Sequence, residues 1–577
     1  MLISTKAEEG EFGQMMIACK RLGRAIKEKR VQPLSSLELG RRLPSRCVAD
    51  ELVETYLRTF EGVLRVLHVP TFRAEYEQFW DNREATPDYF IIQLQLVMAL
   101  GAAMHDDVFS MRSVASQWVH EAQLWLMLPP EKNRLTIAGI QVMCLVILAR
   151  SVCSVGSDLA WISSGSLIRK AIYCGLHRDP RSFKGNMTTY RAEMRRRLWA
   201  TILELNLQSS FDAAFSTMIS SADYDVLPPA NLDDEELDDR PDDVRNPSER
   251  PAETVTAMSI PLELLRSHPL RQALFKHAND FRANLDYDET LRLNSAMTKA
   301  CRTLTQNLAV LAQGEKGQPK PKINEFHTSL TELLVYRCFN TLHQPYILKS
   351  LENPKLYFSR KMYLDSALKV TSICGLSGQA RAMGPGGDEA PTSDFHRLLV
   401  NGSGVFRNIL LQSLPGIIFE LTLTDENSTK GSTDGSSRPF GLGYLPAMGD
   451  RDLHATVDAG AKWLLRRIQS GETNIKGYLY FALGRRHIEA LEAGMDTEGI
   501  GVEIRKSAES LLRQSFDALT DLAAREGAVV DEADANAMVR EAPLEDDTMM
   551  AIDLLGDWAW DDLDHELWGT GVSPVFG

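Results

Sequence analysis

Residues Ser166 to Trp199 run SLIRKAIYCGLHRDPRSFKGNMTTYRAEMRRRLW, and this stretch spells helix, sharp stop, helix. Leu167, Ile168, Ala171 and Ile172 stand one, three and four apart, which sets them on one face at a 3.6-residue period. Gly175 supplies the left-handed cap that ends such a helix. Pro180 then blocks its continuation, because it lacks the donor and clashes with the preceding turn. Met194, Leu198, Thr201, Ile202 and Leu205 resume the helical spacing, with Arg195, Arg196 and Arg197 in the first turns. Consecutive residues on a helix point about 100° apart, so three arginines in a row make no flat basic face. The spacing predicts one of them in an ion pair with Glu193 or Glu204 and the others in solvent.

The same period recurs in both directions. Val48, Leu52, Tyr56, Phe60, Val63 and Leu67 predict an amphipathic helix of about five turns. It stops at His68-Val69-Pro70, where Thr71 is expected to cap a second helix carrying Phe72, Tyr76, Phe79 and Trp80. Further helices are expected over 90–104, 114–127, 137–149, 159–173, 406–421, 453–469, 475–493 and 502–526. Alternating strand-like runs are missing, so the fold class is all-α: a multi-helix bundle with long disordered loops and an acidic C-terminal tail. The expected organisation is a basic linker over 1–46, with at most a short helix near 15–28, and a first helical part over 47–230. An acidic flexible loop follows over 231–256, where Pro241, Pro247 and Pro251 leave little to bury. A second helical part over 257–375, a loop over 376–395, a C-terminal helical region over 396–540 and a tail over 541–577 complete it.

Hydrophobic residues at 44% and charged residues at 24% are globular values and exclude wholesale disorder. The net charge of −15 is unevenly spread. Residues 541–577 carry ten acids and no Lys or Arg, whereas 19–46 carry nine basic side chains against Glu28 and Glu38. A basic head and an acidic tail suggest two different partners. The longest apolar run, Gly139 to Leu148, is about half of what a bilayer requires, and no secretory signal is visible, so a soluble intracellular protein is expected. No two of the eight cysteines stand three apart, which leaves no C-x-x-C half-site for zinc; buried reduced thiols are expected instead.

Four motifs occur in order: LHVPTF at 67–72, GLHRDP at 175–180, EMRRRLW at 193–199 and LHQPY at 342–346. Together they resemble the regulatory middle domain of fungal zinc-cluster transcription factors. The resemblance runs from about residue 19 to 373. It implies that Ile219 to Pro229 forms an extended strip closing the helical core, and that Ser359-Arg360 caps an apolar helix reaching Thr371. Gln344 stands where the family has arginine, so an ion pair made there should be missing. The family's DNA-binding module is a six-cysteine zinc cluster, which does not occur in these residues. Zinc is therefore expected only if such a cluster lies upstream, and DNA binding is expected to be weak or to act through a partner. The implied protein is a nuclear transcription regulator of a pathway or biosynthetic gene set, working with coactivators and as a homo- or heterodimer.

The sequence carries no P-loop, nucleophile elbow, H-E-x-x-H, EF-hand or dinucleotide fingerprint. Asp223 and Asp225 share a face of an extended strip, but a carboxylate pair works as acid and base only in a pocket. No catalytic, cofactor-binding or metal residue is expected. The tail is more telling, since its acids alternate with Leu554, Leu555, Trp558, Trp560 and Leu563. Mutual repulsion keeps those apolar residues available as anchors for a coactivator groove. The competing reading of the tail is an amphipathic helix docked on its own domain. For the whole chain, the competing reading is a helical interaction or ligand-sensing co-regulator without DNA binding of its own.

Overall fold

The computed structural model describes residues 11–30, 40, 42–183, 187–238, 249–251, 253–280, 286–313, 323–377, 392–430 and 450–527. These form eighteen α-helices, and no strand occurs among the described residues. In chain order they are α1 (Glu11–Arg30), α2 (Arg46–Arg58), α3 (Val69–Asp81), α4 (Asp88–Ala102), α5 (Arg112–Met127), α6 (Ile137–Cys153), α7 (Ala160–Tyr173), α8 (Thr189–Ala213) and α9 (Ser259–Ala278). There follow α10 (Tyr287–Gln313), α11 (Glu325–His343), α12 (Lys349–Glu352), α13 (Tyr357–Ile373), α14 (Asp394–Asn401), α15 (Val405–Lys430), α16 (Asp450–Gln469), α17 (Lys476–Glu492) and α18 (Thr497–Glu526). The all-α expectation holds. No helix among the described residues is long and apolar enough to cross a membrane.

The chain divides into two compact units. One comprises Pro33–Leu342 with Thr392–Asn408. Its centre is α4, buried continuously from Ile92 to Ala102 and packed against α2, α5 and α6. A helix apolar on every side has to sit at the middle of a bundle. The second central helix, α6, is capped by Thr136, whose side chain accepts from the Gly139 amide at 3.1 Å. The α7–α8 corner follows the sequence reading closely. Gly175 (φ +73°) donates to Ile172 O at 2.9 Å and Leu176 to Ala171 O at 2.9 Å, the paired bonds of a Schellman stop. Trp199 and Leu198 are buried.

The other unit comprises Met1–Gln32, His343–Pro391 and Ile409–Gly577. Here α17 packs on α16 and α18, and α1 lies along α18. That contact corrects the linker expected over 1–46: Cys19, Leu22 and Ile26 recur at three and four and are buried, so the basic head carries a twenty-residue helix with an apolar stripe. Ser359 is likewise no cap. It lies inside α13, where its hydroxyl meets His343 Nδ1 at 3.0 Å, and Arg360 beside it grips Glu420 at 2.8 and 2.9 Å.

Two boundaries in the first unit also differ from expectation. The five-turn helix ends at Arg58, because Thr59 leaves helical geometry (φ −118°, ψ −91°) and Glu61 folds back onto the chain beyond it. Helix α3 starts at Val69 rather than after Thr71, with Pro70 in its first turn, where a missing amide donor costs nothing.

Candidate regulatory pocket and its buried clasp

The turn between α2 and α3 is organised by a carboxylate. Glu61 is wholly buried; its Oε1 accepts from the Val66 and Leu67 amides at 3.0 Å each, and its Oε2 accepts from the Tyr56 hydroxyl at 2.6 Å. Burial pushes this carboxyl up to about 7, against the lowering pull of Arg65 and its hydrogen bonds. The fold so imposed delivers Arg65 to Asp234, which lies 169 residues further along the chain.

Asp234 is the centre of a clasp. Its Oδ1 is shared by Arg65 and by Arg197 of α8, the latter at 2.6 Å, and its Oδ2 accepts from the Val69 amide at 2.8 Å. Arg197 also donates to Leu232 O at 2.9 Å. His68 Nε2 meets the Asp234 carbonyl at 2.9 Å; a carbonyl only accepts, so Nε2 donates, and Nδ1 pairs with Thr71 Oγ1 at 2.7 Å. Burial works to raise the Asp234 carboxyl, but the two guanidiniums outweigh it and hold it down to about 2. Four parts of the sequence, 61–71, 197, 201 and 232–234, are thereby locked together, with Thr201 Oγ1 donating to Arg65 O at 2.8 Å.

The clasp corrects the reading of 231–256 as a wholly flexible loop. Leu232, Asp233, Asp234 and Leu237 are buried, and Asp233 and Glu236 form a reciprocal capping box. The pattern Asp-x-x-Glu between two leucines was the available signal, and acidic composition masked it.

Beside the clasp lies a pocket of about 430 Å³. It is lined by Leu67, His68, Phe72 and Glu75 around the start of α3, by Tyr89, Gln93, Ile137 and Gln141 of α4 and α6, and by Tyr190, Arg191, Met194 and Arg195 of α8. The His68 and Tyr190 rings meet edge to face at 4.9 Å. The polar lining is largely satisfied internally: Tyr89 OH donates to Glu75 at 2.7 Å, Gln93 Nε2 to Gln141 Oε1 at 3.1 Å, and Gln141 Nε2 to Val66 O at 2.9 Å.

The arginine run does not divide as expected, into one paired residue and two solvated ones. Arg197 enters the clasp. Arg196 bridges Asp179, at 3.0 and 3.1 Å, and Glu193, at 2.6 Å. Arg195 donates to Cys174 O at 2.8 Å and lies over the Phe183 ring. Glu204 pairs instead with Arg271 of α9. Asp179, the acid of GLHRDP, also accepts from Leu227 N at 3.1 Å, and Asp225 accepts from Asp179 N at 2.7 Å while its own amide donates to His177 O at 3.1 Å. The strip over 219–229 is therefore stitched to the GLHRDP turn. Asp223 faces away, closing a local turn with Ser220. The tail residues Leu554, Leu555, Trp558, Trp560 and Leu563 lie outside the described residues. Among the described residues, no group of three or more His, Cys, Asp or Glu side chains could hold a metal ion.

Comparison with known proteins bears on this geometry. Residues 53–299, from α2 into α10, match the fungal specific transcription factor domain. The chain is similar to transcription factor lepE of Aspergillus flavus, at 34% identity over 84% of this chain and 57% of that protein. It is also similar to transcription factor opdR of Penicillium oxalicum, at 34% over 78% of this chain and 57% of the relative. Similarity extends to the aspyridones cluster regulator apdR of Emericella nidulans, at 31% over 60% and 46%. The chain thus spans about half the length of the relatives it matches. No solved structure matches it. The clasp, the pocket and the GLHRDP corner all lie in the matched segment, so residues 53–299 of this chain are a fungal specific transcription factor domain.

Proposed function

We propose that this protein is a nuclear transcription regulator that controls a biosynthetic gene set in a fungus and has no enzymatic activity of its own. The observation that carries the reading is the match of residues 53–299, whose described part is helical, to the fungal specific transcription factor domain, together with relatives named as transcription factors and cluster regulators. Deleting and overexpressing the gene, with transcript sequencing, tests it. A co-located set of biosynthetic genes should fall and rise together; unchanged transcripts in both strains would sink the idea.

Contact with specific DNA is assigned to a partner, or to a zinc cluster outside these 577 residues, because within them no two cysteines stand three apart. Output is assigned to the tail, which carries ten acids and no Lys or Arg, with Leu554, Leu555, Trp558, Trp560 and Leu563 as the proposed anchors for a coactivator. Residues 541–568 fused to an unrelated DNA-binding domain should activate a reporter, and replacing Trp558 and Trp560 with alanine should abolish it. A silent fusion would favour the docked-helix reading of the tail. Homo- or heterodimerisation is part of the same proposal and is read by light scattering of the purified chain.

A further inference from the structure

The pocket has a size, a lining and one anomalous charge. Its 430 Å³ would hold about fourteen waters at ~30 Å³ each, enough for an organic molecule of roughly that many non-hydrogen atoms. Leu67, Phe72, Ile137 and Met194 offer apolar surface, and Tyr89, Tyr190 and His68 offer rings. The polar atoms of Gln93, Gln141, Tyr89 and Glu75 bond one another or the backbone, so they place few demands on a guest.

Arg195 differs from its neighbours. Arg196 and Arg197 are each neutralised by carboxylates, whereas the contacts of Arg195 are a carbonyl oxygen and the face of Phe183. Its Nε is buried with no partner. A guanidinium half withdrawn from water without a counter-ion is costly, and an anion is what relieves it. Glu75, which also lines the pocket, would repel the same anion and so favours a pose with the charge at Arg195.

We propose that this pocket binds a small amphipathic carboxylate, its apolar or aromatic body over Leu67, Phe72, Ile137 and Met194 and its carboxylate against Arg195. Such a guest bridges α3, which begins directly after His68, and α8, which carries Arg197 into the clasp. Occupancy therefore stiffens the junction that holds the 232–234 segment, and the bound chain unfolds at higher temperature.

The probes are 4-phenylbutyrate and its neutral isostere 4-phenylbutyramide, titrated calorimetrically into the purified full chain. The acid should bind about tenfold more tightly than the amide, a difference of about 1.4 kcal/mol. Arg195→Gln should bring both to the affinity of the amide, and Met194→Trp, which fills the cavity, should remove binding of both. Circular dichroism and melting establish that the variants are folded; the acid–amide comparison on the unaltered chain needs neither. Equal affinities, a preference that survives Arg195→Gln, undiminished binding by Met194→Trp, or no saturable heat from either probe up to about 10 mM would each overturn the proposal. No DNA or transcription is involved in the readout, so its failure leaves the regulatory reading standing and can be told apart from it.

Discussion

Arg197 donates to Asp234 at 2.6 Å across 37 positions of the chain, and both side chains are buried. Asp234 also accepts from Arg65, whose other carboxylate, Glu61, stands farther off at 3.7 Å. Removing Asp234 strands the buried Arg197 and leaves Arg65 only that longer contact, so Asp234→Ala should cost on the order of 3–5 kcal/mol. Asp223→Ala, which loses only an exposed turn with Ser220, should stay within about 0.5 kcal/mol. Urea unfolding of both variants checks this; equal losses would mean that the clasp contributes nothing.

Much of this architecture could be read from residue spacing, and the failures share one cause. The Gly175 stop and the helix carrying Met194, Leu198 and Ile202 follow from local rules that the tertiary fold leaves intact. The clasp does not. Asp234 sits in an acidic, proline-bearing run that composition marks as solvated, and only the arrival of Arg65 and Arg197 makes its burial favourable. Glu61 likewise occupies a helical position by period, yet two amides five and six residues on capture its carboxylate and end the helix early. Charges that find partners over long sequence distances are invisible to a local period.

Acid should weaken the unit that contains α9 and α11. His268 and His327 are lowered from 6.5 to about 4, chiefly by burial and, for His268, also by Arg271. Their rings stay neutral in the fold while those of the unfolded chain take up protons. Stability from this source is complete above pH 6.5 and is lost as pH falls towards 4, by a few kcal/mol in total. Glu61, raised from 4.5 to about 7, works the other way: its contribution is full below 4.5 and is lost as pH rises through 7. Urea midpoints between pH 4.5 and 7.5 should therefore climb, less steeply in His268→Gln and more steeply in Glu61→Gln. A flat profile in the unaltered chain would refute the assignment of these rings.

Gly101 lets α4 touch α2 backbone to backbone. A Cβ there would overlap the Leu52 carbonyl, which cannot swing aside as a side chain would. Gly101→Ala should cost about 1–3 kcal/mol by forcing the helices apart. Gly501, inside α18, has nothing within 4 Å of where a Cβ would stand, and Gly501→Ala should gain about 0.5–1 kcal/mol from helix propensity alone. Thermal melts of the two variants should move in opposite directions; a shift in the same direction would contradict the packing.

Arg271 and Glu204 offer the cleanest separation of a buried pair from its surroundings. Two parallel hydrogen bonds of 2.8 and 2.7 Å join them between α9 and α8, and Arg271 donates further to Leu264 O at 2.7 Å. Glu204 also accepts from Gln208 at 2.8 Å. Arg271→Met leaves the carboxylate buried with one amide for company, and Glu204→Leu leaves the guanidinium with one carbonyl and the Ser267 hydroxyl, so each should cost about 3–5 kcal/mol. The double variant abandons both charges at once and fills much of the same volume with apolar atoms. It should recover to within about 2 kcal/mol of the unaltered chain, giving a coupling energy of several kcal/mol in a double-mutant cycle. A double variant as unstable as the sum of its parents would show instead that α8 and α9 are held together by the surrounding packing and not by this pair.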